Sequence, residues 1–196
     1  MKYKLLIVFG VLVLIFLGIK MIKKINVNTK YQVGQVIDSL HNVKVYYNGG
    51  VSHTDGRNLS PDGYNLGIKY QCVEFVKRYY YEHLDHKMPD TYGNAKDFFD
   101  EALENGTLNK QRNLWQYHNG AIIKPKANDI IVFSSSFWNP YGHVAIIAEV
   151  TKDSVTIIQQ NPGPFGESRE QLVLKYEEKK YYIDNDRVLG WLTLDR

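Results

Sequence analysis

The last third of the chain is a succession of short apolar segments separated by turns, and this pattern restricts the fold more than any other feature. Ile130–Phe133 has the composition of a buried strand, and His143–Val150 and Ser154–Gln159 follow on either side of the turn Thr151–Asp153. Further strands are predicted at Leu172–Tyr176, Lys180–Ile183 and Val188–Leu194. Strands joined by short turns pair in hairpins, so we expect an antiparallel sheet here.

Helical spacing precedes these strands. After Tyr70, apolar residues recur three and four positions apart, at Val73, Val76, Tyr80 and Leu84. This spacing predicts a helix that begins at Cys72 and ends near His83 to His86. Helices followed by a run of hairpins predict an α+β domain with N-terminal helices packed on an antiparallel sheet.

Turn residues and composition predict the remaining segments. Asn94 and Gly106 have the residue types that begin and end helices, which predicts a second helix over Ala95–Glu104. The other segments are predicted as a short helix at Val33–Leu40, a strand at Val43–Tyr47, a turn-rich stretch at Ser52–Leu66 and a long loop at Lys110–Lys126.

The N-terminus carries an unbroken apolar run, Leu5–Ile19, between Lys4 and Lys20. As a helix this run is about 22 Å long, and extending it to Ile22 with Lys20 snorkelling gives about 27 Å, close to a hydrocarbon core of ~30 Å. No small-x-small cleavage site follows it. We therefore expect one uncleaved membrane anchor over residues 5–22, with a signal peptide as the alternative.

Charge does not decide the orientation of this anchor. Lysines flank it on both sides, which is near balance and slightly favours a cytoplasmic C-terminal domain. The predicted organisation is a hydrophobic anchor at 1–24, a linker and lead-in segment at 25–40, and a single domain at 41–196.

The composition is that of an ordinary globular domain, with 196 residues of which 44% are hydrophobic and 23% charged. A net charge of +3, spread along the chain, gives no reason to expect nucleic acid as a partner. The single cysteine excludes an intrachain disulfide and a Cys-rich zinc site. We expect a monomer.

That single cysteine, Cys72, stands where a helix is predicted to begin. The positive end of a helix dipole and its unpaired N–H groups favour a thiolate, which is the nucleophilic form of cysteine. The alternative is a small buried apolar residue.

A nucleophilic cysteine needs a base, and His143 is the best-placed histidine because it opens a strand directly after a glycine-containing turn. Two hairpin registers are open, one with His143 opposite Asn161 and one with it opposite Gln159. Side chains alternate with period two, so His143, Gln159 and Asn161 share one face in both registers. Either amide can then reach and orient the imidazole.

Other candidates have simpler explanations. Asp55 and Asp62 can hold calcium, but their spacing is not that of an EF-hand loop, and turn-forming aspartates explain them better. His83 and His86 can hold a metal, but histidines in a last helical turn more often interact with the helix dipole.

Four motifs in order carry a family resemblance: Tyr70–Phe75, Gly142–Ile147, Gln159–Asn161 and Leu189–Trp191. Together they resemble the CHAP superfamily of papain-like cysteine amidases, and within it most of all the amidase domain of glutathionylspermidine synthetase/amidase. The resemblance covers roughly residues 43–192. It implies a papain-like CHAP fold.

The resemblance also implies site roles, with Cys72 as nucleophile, His143 as base and Gln159 as third member. The family usually has Glu at this third position, and an amide in its place orients the imidazole without adding negative charge. In the implied reaction Cys72 attacks an amide through a thioester intermediate, and no metal or cofactor takes part. The backbone N–H of Cys72, with Gln71, is expected to stabilise the oxyanion, and Asn161 to help hold the ring.

The substrate is left with alternatives. CHAP relatives cut peptidoglycan peptides or the glutathione–spermidine amide, and a membrane anchor favours peptidoglycan and a domain outside the cytoplasm. The alternatives are a glutathionylspermidine-type amidase and a catalytically weak binding protein. For location they are secretion after signal cleavage and a domain that faces the cytoplasm.

Overall fold

The computed structural model describes residues 2–137 and 139–195 of the chain. These residues form helix α1 (Lys2–Ile22), helix α2 (Cys72–Leu84) and a 3-10 helix (Ala95–Phe98). The strands in chain order are β1 (Val36–Leu40), β2 (Val43–Tyr46), β3 (Arg57–Leu59), β4 (Asn65–Ile68), β5 (Thr107–Asn109), β6 (Leu114–His118), β7 (Ile130–Phe133), β8 (His143–Val150), β9 (Ser154–Ile158), β10 (Arg169–Glu177), β11 (Lys180–Ile183) and β12 (Val188–Thr193).

One large sheet forms the body of the domain. Its eight strands lie in the order β11-β10-β9-β8-β7-β12-β6-β5, and all neighbouring pairs are antiparallel. The sheet is curled, so that strands from opposite ends of its order approach each other: Ala121, just after β6, forms a bridge with Tyr181 in β11. The predicted α+β class with an antiparallel sheet is confirmed, as are the strands predicted from Ile130 onward.

Both faces of the sheet are covered by apolar side chains. In β7, Ile130 and Val132 belong to the core beneath α2, whereas Ile131 and Phe133 belong to a second core inside the curl of the sheet. Successive strand residues point to opposite faces. β7 is apolar throughout because neither of its faces meets water.

Helix α2 lies on the first core, as its spacing predicted. Val76 and Tyr80 are fully buried, and Val73 and Leu84 pack at the edge of the same cluster. The helix ends at Leu84, and Asp85 takes a left-handed conformation with φ of 48°. Both predicted ends are confirmed.

The second predicted helix is wrong beyond its first turn. Asn94 does begin it, and the Asp97 carboxylate accepts the Asn94 N–H at 2.7 Å, but only a single 3-10 turn to Phe98 forms. Asp100 then exchanges two hydrogen bonds with the Gln116 side chain, which hold the following chain against β6. This tertiary pairing overrides the local helical preference.

Three other segments also differ from prediction. Val33–Leu40 was predicted as a helix, but it contains β1, which pairs with β2. The turn-rich stretch 52–66 contributes to a small hairpin of β3 and β4, and the loop predicted at 110–126 contains β6. Short segments take their state from the strand beside them, and their own periodicity is too brief to indicate it.

Helix α1 has the length and composition that can cross a membrane. Its segment Tyr3–Ile22 has a mean hydropathy of 2.9, and none of it is buried in the protein. A signal sequence has the same properties.

Candidate active site

Cys72 is the first residue of α2 and lies at the boundary between the helix and the sheet. Gln71 before it is extended, with φ of −82° and ψ of 160°, so the helix begins sharply at the cysteine. The residue is 8% exposed and belongs to the core that contains Val144 of β8. The start of the helix is therefore seated against the strand that His143 opens.

The backbone N–H groups of Val144, Val73 and Cys72 itself lie close enough to the Cys72 thiol to stabilise its thiolate form. Because the Val144 nitrogen is bonded to the carbonyl carbon of His143, the thiol lies beside the backbone of His143. Burial nevertheless raises the pKa of the Cys72 thiol, and these donors oppose that effect. The N–H groups at the helix start favour the thiolate as expected, but desolvation acts against them with the larger effect.

His143 is held by Gln159. Its Nε2 lies 2.8 Å from the Gln159 Oε1, an oxygen that can only accept, so Nε2 carries the proton and Nδ1 keeps a free lone pair. The amide orientation of Gln159 is set by its Nε2, which donates to the Glu167 carbonyl at 3.2 Å and to Glu170 Oε2 at 3.4 Å. This arrangement selects one imidazole tautomer.

Burial lowers the pKa of His143 to about 4, and the positive charge of Arg187 acts in the same direction. The hydrogen bond to Gln159 opposes this shift. Together with the raised pKa of Cys72, this favours the neutral form of both the thiol and the imidazole.

The β8–β9 hairpin explains why Gln159 is the partner. Ile146 pairs with Ile158, the register that would set His143 level with Asn161. A bulge near Glu149 shifts the pairing at the tip, where Val150 faces Val155. Regular pairing ends at Ile158, and the imidazole therefore contacts Gln159 diagonally.

Asn161 and Gln71 contact each other. Asn161 Nδ2 donates to Gln71 Oε1 at 2.8 Å and to the Val51 carbonyl at 2.9 Å. Gln71 Nε2 in turn donates to the His53 carbonyl at 2.7 Å. Both amides therefore brace the start of α2, and the prediction that Asn161 helps to hold the imidazole is not met by these contacts.

Sequence reasoning missed a buried polar network behind the helix start. The Glu74 carboxylate accepts from Arg78 Nε at 2.6 Å, from Gln160 Nε2 at 2.8 Å and from Asn58 Nδ2 at 2.8 Å. Gln160 Oε1 accepts the Tyr46 N–H at 2.8 Å. The signal in the sequence was the Glu74–Arg78 pair at i and i+4, inside an otherwise apolar stripe.

An open cleft of about 500 Å³ lies beside the 3-10 helix, and its lining does not include Cys72 or His143; the lining residues are Lys96, Asp97, Phe99, Asp100, Glu101, Gln111, Ser134, Ser135 and Leu189. Gly142, directly before His143, packs against Lys96, one of the lining residues. A Cβ at Gly142, where φ is 75°, would lie 2.7 Å from the Phe133 carbonyl oxygen and 2.8 Å from Lys96 Cβ. Only glycine fits this position.

Asp62, His83 and His86 have side-chain partners of their own. Asp62 pairs with Lys87 and accepts from Ser60, whereas the backbone N–H of Asp55 donates to the Lys69 carbonyl. His83 stacks on His41, and a ring nitrogen of His86 bonds the Arg112 carbonyl. Among residues 2–137 and 139–195, no three His, Cys, Asp or Glu side chains are grouped to hold a metal ion.

A family model now adds to this geometry. The model for the CHAP domain matches residues 62–161, which include Cys72, His143 and Gln159. The chain belongs to the CHAP domain family. The resemblance noted in the sequence is thereby confirmed.

Three curated relatives of this CHAP domain chain are similar over part of their length. Trypanothione synthetase of Crithidia fasciculata is 30% identical over 61% of this chain and 18% of its own. Endolysin PlyTW of Staphylococcus phage Twort is 29% identical over 54% and 18%. The bifunctional glutathionylspermidine synthetase/amidase of Escherichia coli is 28% identical over 69% and 23%. The chain thus spans about a fifth of the length of these relatives.

Among solved structures, the CHAP domain chain is similar to Ly7917. The sequence identity is 20% and the TM-score 0.39, over 63% of this chain and 53% of that one.

Proposed function

We propose that this protein is a cysteine amidase or endopeptidase that hydrolyses amide bonds in peptidoglycan peptides. The observation that carries the proposal is the hydrogen bond from His143 Nε2 to Gln159, which leaves Nδ1 as a base on the residue whose backbone adjoins the Cys72 thiol. A nucleophile, a base and an orienting amide in this relation are the parts of a papain-like site.

The reaction begins from the neutral pair. As Cys72 Sγ attacks the amide carbonyl carbon, Nδ1 of His143 takes the thiol proton, and the carbonyl oxygen becomes an oxyanion. Backbone N–H groups at the start of α2 stabilise this charge. The imidazolium then protonates the amide nitrogen, the C–N bond breaks and the amine leaves a thioester on Cys72.

The second half of the reaction restores the enzyme. A water oxygen attacks the thioester carbon while Nδ1 of His143 takes one of the water protons. The C–S bond breaks, the acid leaves, and the proton returns to Cys72. Gln159 holds the ring throughout and adds no charge, so the imidazolium is less stabilised than it would be beside a carboxylate.

The substrate class rests on two supports. One relative is named an endolysin, and the apolar helix α1 gives residues 1–24 the properties of an anchor. We propose residues 41–196 as the catalytic domain, placed outside the cytoplasm. A second candidate, hydrolysis of a glutathionylspermidine-type amide, is favoured by similarity to the bifunctional synthetase/amidase.

The test uses full-length protein in detergent with purified peptidoglycan and, separately, with glutathionylspermidine. We expect new amines by mass spectrometry from peptidoglycan, and a loss of at least ~1000-fold in rate for Cys72→Ala. Amines from glutathionylspermidine alone would favour the second candidate. If neither substrate yields more amine than Cys72→Ala does, both amidase candidates fail.

Location needs its own measurement. Protease added to intact cells is expected to digest the domain, because we place it outside the cytoplasm. A domain that is protected until the membrane is permeabilised would contradict this placement.

A further inference from the structure

The residues that follow helix α1 are in contact with the domain from the first one onward. We call residues 23–28 the exit segment. Its first carbonyl, that of Lys23, accepts the Ser52 N–H at 2.8 Å. The end of the apolar helix is therefore bonded to the loop of residues 49–53, which we call the brace loop.

Two glycines let the exit segment approach the brace loop this closely. A Cβ at Gly50 would lie 2.4 Å from the Lys23 carbonyl oxygen and 2.8 Å from that of Ile25. A Cβ at Gly49 would lie 3.3 Å from Asn26 Cβ. The two backbones are in direct contact, and no side chain other than hydrogen fits between them at Gly50.

Side chains extend this contact to the loop after β9, which carries Asn161 and Pro164. Tyr47 Oη donates to Asn26 Oδ1 at 2.9 Å, and Asn28 Nδ2 donates to the Pro164 carbonyl at 2.8 Å. Pro164 follows Asn161 in the loop after β9. The exit segment thus bonds to the brace loop and to the loop after β9, and both of these loops contact Gln71 at the start of α2.

The brace loop holds the cysteine end of the site. The Val51 carbonyl accepts from Asn161 Nδ2 at 2.9 Å, and the His53 carbonyl accepts from Gln71 Nε2 at 2.7 Å. Gln71 directly precedes Cys72. A continuous series of contacts therefore runs from Lys23 through the brace loop and Gln71 to the nucleophile.

We propose that the exit segment is a positioning element of the active site: it holds the brace loop, and through it Gln71 and Asn161, so that Cys72 keeps its place beside His143. The inference rests on the proposed function for the meaning of the site. With this contact, the active site lies at the end of the domain that adjoins helix α1.

The test compares two glycine-to-alanine variants of the full-length protein in detergent. Gly50→Ala puts a methyl group against the exit segment, whereas Gly18→Ala lies in α1 with nothing within 4 Å. The readouts are the rate at which iodoacetamide labels Cys72, kcat and KM for amide hydrolysis, and the melting temperature. Asn26→Ala is a milder variant that removes the contacts with Tyr47, the Tyr31 carbonyl and the Asn28 N–H without adding bulk.

We expect Gly50→Ala to speed labelling of the buried thiol about tenfold and to lower kcat about tenfold or more, because small displacements of a reacting group have large effects. Asn26→Ala is expected to change both by roughly threefold in the same directions. Gly18→Ala is expected to match the wild-type protein in every readout.

The outcomes distinguish the positioning role of the exit segment from the proposed amidase function. Wild-type labelling and kcat in both Gly50→Ala and Asn26→Ala would overturn the positioning role even if hydrolysis is found. Altered labelling in a protein that hydrolyses no amide would sink the proposed function and retain the positioning role. If Gly50→Ala loses its cooperative melting transition, the labelling rate and kcat of Asn26→Ala decide whether the exit segment positions the site.

Discussion

Gln159 and Gln160 are neighbours in the chain and both are buried, yet their surroundings differ completely. Gln160 lies on the helix side, where it bonds Glu74, the Gln71 carbonyl and the Tyr46 N–H. Gln159 bonds His143 on one side, and the Glu167 carbonyl and the exposed Glu170 on the other. One amide closes a network of fixed partners, and the other connects an imidazole to a surface loop.

The difference teaches how one strand end serves both stability and chemistry. Successive residues of an extended chain point to opposite sides. The same two positions therefore supply a structural amide beneath α2 and an orienting amide beside His143. We expect substitutions of Gln160 to change stability, and substitutions of Gln159 to change activity and its pH dependence.

Gln160→Leu is expected to have the largest effect on stability. It leaves the buried Glu74 carboxylate and the Tyr46 N–H each without one of their partners. Because unpaired buried polar groups are costly, we expect a loss of about 2–4 kcal/mol in the free energy of unfolding, measured by urea denaturation. Gln171→Leu, at an exposed position, is the matched control, and equal losses in the two variants would contradict the network.

Gln159→Ala is expected to act mainly on catalysis. Without its oxygen acceptor the His143 ring loses its fixed tautomer and orientation. We expect kcat to fall about 10- to 100-fold, with a loss of about 1–2 kcal/mol in stability, which is smaller than for Gln160→Leu because Glu167 and Glu170 are exposed and can bond water instead. Peptidoglycan hydrolysis and urea denaturation of the same preparation check both. A variant that unfolds as readily as Gln160→Leu would erase the distinction between the two amides.

Gln159→Glu sharpens the comparison through pH. His143 must be neutral to act as base, and burial lowers its pKa to about 4, so activity of the wild-type protein should rise with pH through about 4. A carboxylate at position 159 stabilises the imidazolium and raises the pKa of His143. We expect the acid limb of kcat/KM to move up by about one pH unit or more.

An acid limb that stays in place in Gln159→Glu would show that His143 is not the group being titrated. Gln160→Glu is not a suitable control because it would set a second carboxylate beside Glu74. Gln171→Glu, at an exposed position whose side chain bonds Ser154 and not Gln159, is expected to leave the limb unchanged.

Glu170→Ala is expected to have the smallest effect. Gln159 Nε2 loses a contact of 3.4 Å to an exposed carboxylate but keeps the Glu167 carbonyl at 3.2 Å. We expect kcat to fall by less than about threefold, because an exposed charged partner contributes little. A loss as large as that of Gln159→Ala would mean that Glu170 alone sets the amide orientation.

Much of the site could be predicted from the order of residues. Cys72 at a helix start and His143 at a strand start follow from local spacing, and the shared face of His143 and Gln159 follows from strand alternation. Strand geometry left Gln159 and Asn161 open, because the choice between them depends on a bulge and on where pairing stops at Ile158, and only the family resemblance pointed to Gln159. The ionisation of Cys72 and His143 could not be predicted either, because burial depends on the whole fold.

The sequence by itself determined the helix of Cys72, the hairpin of His143 and the family, because local periodicity and short motifs carry them. Only the tertiary structure decided the preference of Cys72 and His143 for their neutral forms, the bracing of Gln71 by Asn161, and the strands β1, β5 and β6. The physical reason is the same in each case. Desolvation, amide pairing and the pairing of short strands depend on residues far apart in the chain, such as Val51 with Asn161 and Asp100 with Gln116.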